Sequence, residues 1–173
     1  PIVSAGPDQV VCANVNVGLE GSISGGASTG FWTTGGTGTF FPDSTVQNGS
    51  YQFSPADTSL SLLVFTLESS SSPGCPAKMD SFTVTITPAP AGVAGNDTTV
   101  CSNNDTIYLN GSVTVSSTTG FWTSGGSGIF LPNDSDLNAV YIPDTSDESL
   151  GAVTITLTST NNGGCNPVFD NLL

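Results

Sequence analysis

Fourteen carboxylates and four cysteines make up the reactive inventory of this 173-residue chain. One lysine, Lys78, stands against them, and there is no arginine and no histidine. Without imidazole, a serine or cysteine hydrolase triad lacks its base. With a single cation, phosphoryl transfer has no clamp. A net charge of -13 repels nucleic acid and anionic membrane surfaces alike. A zinc site of the His/Cys kind has too few ligands in either half of the chain. No run of residues approaches the roughly 20 apolar positions of a membrane span.

The carboxylates cluster in the second half. Asp134, Asp136, Asp144, Asp147 and Glu148 fall in two loops flanking one short strand, and Asp97 lies near the start of that half. Hard oxygen ligands on loops suit Ca2+, so Asp97, Asp134, Asp136, Asp144 and Asp147 are calcium candidates. No EF-hand or glycine-rich nonapeptide pattern accompanies them, and solvated surface carboxylates are the competing reading. A glycosidase pair would need two such acids at fixed separation. The first half has Ser44, Val46 and Ser54 where the second has Asp134, Asp136 and Asp144, so such a pair would be confined to one half. The chain is therefore not read as an enzyme.

That comparison of halves rests on an internal repeat with an offset of 90 residues. Gly30-Phe31-Trp32-Thr33-Thr34-Gly35-Gly36 returns as Gly120-Phe121-Trp122-Thr123-Ser124-Gly125-Gly126, and Tyr51, Cys75 and Asp80 return as Tyr141, Cys165 and Asp170. Cys12 matches Cys101 at an offset of 89. Two copies of one unit follow, 1–88 and 89–173, meeting at the Pro-rich joint Thr87 to Gly92. The second copy stops mid-pattern, with its last strand truncated. The chain is expected to be a segment of a longer protein whose targeting signals lie elsewhere.

Each copy is written in period-2 alternation. Val153, Ile155 and Leu157 alternate with threonines, and so do Phe82, Val84 and Ile86. Val15 to Leu19 and Ile107 to Val115 carry the same pattern. Separated by Gly/Ser/Asn/Pro clusters, such runs predict an all-β fold: two tandem immunoglobulin-like antiparallel sandwiches. Trp32 and Trp122 are expected in the cores, as a buried strand tryptophan is in such sandwiches. Their neighbours Phe31 and Phe121 then point outward. They either cover an inter-strand surface or, with Tyr51 and Tyr141, face a ligand. Gly35 to Gly38 has no following helix and no lysine, so it reads as a tight hairpin rather than a phosphate loop. Thr145 to Glu148 has a capping-box pattern and predicts one turn of helix.

The economical disulfide pairing is Cys12 with Cys75 and Cys101 with Cys165, one bond inside each copy. Each would close a loop of about sixty residues and contribute roughly 4 kcal/mol in the chain-entropy view. Such bonds predict an oxidising, extracellular location.

The motifs Ala5-Gly6-Pro7-Asp8, Val11-Cys12, Gly-Phe-Trp-Thr with its Gly-Gly turn, and Gly74-Cys75 together resemble a known repeat. It is similar to the immunoglobulin-like or PKD-like tandem repeats of large Bacteroidota cell-surface adhesins, the gliding-motility adhesins of SprB type. The resemblance implies type IX secretion, attachment at the bacterial outer surface, neighbouring repeats of the same chain as partners, and contact with a polysaccharide or substratum. It implies a monomeric filament segment without a required cofactor, and it supplies no catalytic residues. Asp97-Thr98-Thr99 and Asp105-Thr106-Ile107 are also similar to Bacteroidota O-glycosylation acceptors. The alternative function is a carbohydrate-binding or spacer module of a secreted enzyme.

Overall fold

The computed structural model of the protein describes residues 1–71, 74–102 and 106–173. Asp105, in the second of the two glycosylation-like triplets, lies outside the described residues. The chain forms two compact units, Pro1–Pro88 and Ala89–Leu173.

Among the described residues, the first unit contains nine strands: β1 (Ile2–Ser4), β2 (Gln9–Cys12), β3 (Val17–Gly18), β4 (Ser22–Ser24), β5 (Gly30–Thr34), β6 (Thr39–Phe41), β7 (Ser50–Gln52), β8 (Leu62–Ser69) and β9 (Met79–Thr87). A four-stranded sheet runs β2-β9-β8-β5, a three-stranded sheet runs β3-β7-β6, and β1 pairs with β4. The alternation along β8 and β9 sends Leu63, Phe65 and Leu67, with Phe82, Val84 and Ile86, into one core. Trp32, Val17, Leu19 and Tyr51 fill the same core. Phe65 stacks on Phe82 at 5.3 Å, and Trp32 meets the same ring edge-on at 5.8 Å.

The second unit contains β10 (Ala91–Val93), β11 (Ile107–Tyr108), β12 (Ser112–Thr114), β13 (Thr119–Ser124), β14 (Ile129–Leu131), β15 (Val140–Ile142), helix α1 (Thr145–Leu150), β16 (Ile155–Thr160) and β17 (Phe169–Leu172). Its sheets are β13-β16-β17 and β11-β15-β14, with β10 paired to β12. Trp122, Leu109, Tyr141, Ile155, Leu157 and Leu172 form its core. Each unit is an all-β, immunoglobulin-like sandwich, as the alternation predicts.

Several local expectations are corrected. The pairing is not wholly antiparallel, since β2 runs parallel to β9, from Gln9↔Val84 to Cys12↔Thr87. Gly35 to Gly38 is not a hairpin between paired strands. Strand β5 bonds to β8 and β6 bonds to β7, so the glycines turn a corner from one sheet to the other. The alternation at Val15 and at Val115 does not extend the strands: β3 begins at Val17, and β12 ends at Thr114 with Val115 mostly exposed. The helix is capped by Asp144 rather than Thr145. The Asp144 side chain accepts from the backbone N–H of Ser146 and Asp147, and the Asp147 side chain completes the box.

The predicted disulfides are also corrected. Cys75 and Cys101 are free thiols, while Cys12 and Cys165 are the disulfide-bonded cysteines. The register explains why neither pair within a copy forms. Cys12 sits beside Thr87, the last residue of β9, whereas Cys75 precedes β9 and lies against Gly26, next to the start of β1. A nine-residue strand at about 3.4 Å per residue separates these positions. A disulfide tolerates only roughly 4.4 to 6.8 Å between Cα atoms. In the second unit, Cys165 lies in the β16–β17 connection with its Sγ 3.9 Å from Ser116 Oγ. Cys101 follows the segment that bonds Leu173, beyond the other end of β17.

The tryptophans need close glycines. A Cβ on Gly21 would stand 2.7 Å from Trp32 Cζ2 and 2.8 Å from Leu67 Cδ2, whereas one on Gly18 would meet nothing within 4 Å. Gly21→Ala is therefore expected to cost about 1 to 3 kcal/mol by overpacking, and Gly18→Ala to stay within about 0.5 kcal/mol. Denaturant melts of the two variants check the contrast.

Candidate functional site

The most elaborate polar site of each unit is the sheet-to-sheet corner, and the tyrosines proposed for ligand contact are part of it. Strand β7 places Tyr51 inside the sandwich, fully buried, with its hydroxyl aimed at the corner glycines. Tyr51 Oη donates to Asp57 Oδ2 at 2.8 Å and accepts from Gly38 N at 2.7 Å. Asp57 stands at the start of a short 3-10 turn, Asp57–Ser59, and is itself buried. Its Oδ1 accepts from Thr37 N at 2.8 Å, and its Oδ2 accepts from Ser54 N at 3.0 Å.

The second unit repeats the tyrosine–aspartate pair of this arrangement. Tyr141 Oη donates to Asp147 Oδ2 at 2.6 Å and accepts from Gly128 N at 3.0 Å. Asp147 also accepts from Ser127 N at 2.8 Å and Gly128 N at 2.9 Å. Ser124 adds a hydroxyl donated to Tyr141 Oη at 2.7 Å. Side chains at Gly36 or Gly126 would collide with these carboxylates, which is why the corner is glycine-rich. Tyr51 and Asp57 are six residues apart, as are Tyr141 and Asp147. The recurrence of Asp57 as Asp147 at the 90-residue offset was the signal in the sequence that could have revealed the clasp.

Burial would raise both carboxyls. Donors outweigh it: Ser54, Thr37 and Tyr51 hold Asp57 below the ordinary carboxylate range, and Tyr141, Ser127, Gly128 and Asp144 do the same for Asp147. Burial, with the Asp57 hydrogen bond, pushes Tyr51 up to about 12, and Tyr141 shifts the same way.

These facts relocate the predicted site residues. Tyr51 and Tyr141 have no accessible surface with which to stack on a sugar. Phe31 and Phe121 do face outward, Phe31 being 40% exposed opposite Glu68 and Phe121 half-buried opposite Thr158. Of the calcium candidates, Asp147 is the buried acceptor just described, and Asp144 caps α1 while its Oδ2 accepts from Ser127 Oγ. Asp136 Oδ1 accepts from Asn138 N, and Asp134 Oδ1 accepts from Ser135 Oγ. Asp97 Oδ1 accepts from Leu173 N at 3.0 Å, as its counterpart Asp8 accepts from Thr83 N at 2.8 Å. Among the described residues, no group of three or more His, Cys, Asp or Glu side chains comes together to hold a metal. Each of the five accepts instead from a backbone N–H or hydroxyl donor of its own unit.

No protein-family model matches the chain, and neither does any curated protein. Solved structures with similarity include extracellular domains 3–5 of Drosophila OTK, at 11% identity and a TM-score of 0.36 over 96% of this chain and 57% of that one. Drosophila N-cadherin EC1-4 is similar at 8% identity and a TM-score of 0.35, over 96% of this chain and 46% of that one. The chain thus spans about half the length of each of these two. The fibronectin(III)-like modules of Clostridium thermocellum CbhA are similar at 7% identity and a TM-score of 0.34, over 99% and 93% of the two chains.

Tyr51→Phe and Tyr141→Phe are each expected to lower stability by about 1 to 3 kcal/mol, because a buried carboxylate loses a donor. The carboxyl pKa values are depressed in the folded chain. Their contribution is therefore complete above the ordinary value near 3.8 and is lost as pH falls through the lower folded values. Tyr51 is raised, so its contribution is complete below about 10 and is lost as pH rises toward about 12. Melting temperature against pH should fall at both extremes. The acid fall should flatten in Asp57→Asn and the alkaline fall in Tyr51→Phe.

Proposed function

We propose that this chain is a structural repeat segment of a large extracellular surface protein, its two sandwiches serving in series as a stalk of an adhesin. The supporting observation is what repeats between the units. Tyr51 and Tyr141, Asp57 and Asp147, Asp8 and Asp97, and Asp80 and Asp170 are all committed to bonds inside their own units. The polar groups that recur serve the fold. A binding module would instead be expected to repeat polar groups and aromatics that open to solvent. The disulfide-bonded state of Cys12 and Cys165 supports an oxidising compartment outside the cytoplasm.

On this reading, partners are further repeats of the same protein. Export by type IX secretion and a role in surface attachment and gliding follow from the resemblance of the sequence motifs. The contacted polysaccharide or substratum would be reached elsewhere on the protein. Of its four candidate residues, the carbohydrate-binding alternative loses Tyr51 and Tyr141 and retains Phe31 and Phe121 on the surface.

Single-molecule extension between the chain ends, under reducing conditions, tests the stalk. Two separate force peaks are expected. Each releases about 250 Å of contour, the extended length of roughly 85 residues at ~3.4 Å less the folded span. Extension of either unit without a force peak would refute the proposal. Saturable binding on a glycan array that is abolished by Phe121→Ala would favour the alternative module.

A further inference from the structure

The two units differ where the first is closed by the far half of β9. There Thr83, Val84 and Thr85 pair with Val64, Leu63 and Leu62, while residues 84–87 pair on their other side with β2. Val84 and Ile86 enter the core, 0% and 7% exposed. In the second unit, β17 pairs with β16 only from Thr158↔Phe169 to Ile155↔Leu172. Leu173 takes the place of Thr83, since its N–H donates to Asp97 as that of Thr83 does to Asp8. Its carbonyl accepts from Thr98 N at 3.0 Å, which sets residues 98–100 beside it as β2 lies beside β9. Among the described residues, no strand of the second unit fills the place that 84–87 fill in the first. A cavity of about 520 Å3 stands there instead. Its lining includes Val100, Ile107, Val153 and Leu173, with the carboxylates of Asp97 and Glu148. The apolar wall is a half-open version of the first core. Val17 and Leu63 are buried, whereas their counterparts Ile107 and Val153 are only partly so. Val11 packs on the first core, whereas its counterpart Val100 is 37% exposed.

We propose that this cavity of the second unit is an acceptor slot for one β-strand donated by a separate polypeptide, antiparallel to residues 152–154 and parallel to 98–100. The donor is an extended segment with aliphatic side chains at alternate positions and lysine or arginine at its flanks. The first unit supplies the pattern for its centre. Val84 and Ile86, two β-branched residues two positions apart, enter the core while the threonines between and after them turn away from it. The charge of the wall specifies the flanks. Asp97 and Glu148 are exposed at the cavity, and the second unit has no lysine or arginine to answer them. A second copy of this chain, with a net charge of -13 and one lysine, is a poor donor on the same ground.

A donated strand does two things at once. Its backbone supplies hydrogen-bond partners to the segments on either side, and its aliphatic side chains cover Ile107, Val153 and Val100. Such a slot would serve a spacer and an adhesin equally, so the proposal goes beyond the stalk reading. Its failure would leave the force peaks of each unit unchanged.

The test titrates the intact 173-residue chain with a synthetic peptide, Lys-Thr-Val-Thr-Ile-Thr-Lys, which sets the sequence of residues 83–87 between two lysines. Saturable one-to-one binding is expected, with a Kd of about 0.1 to 1 mM. Amide hydrogen exchange at 98–100 and at 152–154 should slow by roughly tenfold or more on saturation, while that of β2 and β8 in the first unit stays unchanged. A peptide of the same composition with the two aliphatic residues adjacent, and one with glutamates for the lysines, should each bind roughly tenfold more weakly or worse. Val100→Asp, at an already exposed position, should weaken binding without moving the melting temperature. No binding, equal binding of either control peptide, or binding without added protection of both segments would overturn the proposal. So would a dimer of the chain alone that protects the same amides, because the occupant would then be a second copy.

Discussion

In each sandwich, a carboxylate buried beneath a glycine-rich corner ties the crossing between its two sheets to the core. Where β5 leaves one sheet and β6 joins the other, the backbone turns away from both ladders and its N–H groups lose their strand partners. Asp57 and Asp147 accept those N–H groups, and Tyr51 and Tyr141 tie the carboxylates to the core. Burying an ionised group is tolerable only when its lone pairs are met by donors, and here several are aimed at each oxygen pair. The corner glycines, the short turn at Asp57 and the capping box of α1 all serve this geometry.

The same logic accounts for other polar positions that recur. Ala5 N and Ala94 N, at the crossing from the first strand pair of each unit, donate to Asp80 and Asp170 at 2.8 Å. Ser69 and Ser159, buried at the ends of β8 and β16, accept from Lys78 N and Val168 N. Backbone groups at sheet ends need partners when water is excluded, and side chains supply them at matched places. A chain with 9% charged residues is thereby spared many unsatisfied interior groups.

Much of this was legible in the sequence, and the failures are specific. Alternation located β9 and β16, and the repeat located matching cores around Trp32 and Trp122, because burial on one sheet face leaves a period of two. Alternation does not say which sheet a strand joins, so Gly35 to Gly38 read as a hairpin when it is a crossover. Cysteine spacing along the chain carries no record of which pole a residue occupies. The pairing of Cys12 with Cys75 could be rejected only once the register of β9 was known. Tyr51 and Tyr141 looked available to a ligand because an aromatic in alternating sequence carries no mark of the side it faces, and Asp147 looked like a metal ligand because its donors come from residues twenty positions away.

One topological detail bears on how the first unit responds to load. Strand β2 lies near the beginning of the unit, β9 ends it, and the two are parallel neighbours in register over four residue pairs. Tension applied at opposite ends of the chain therefore pulls these two strands past each other along their length. Their hydrogen bonds are then loaded in shear, as a group, instead of opening one at a time like a zipper.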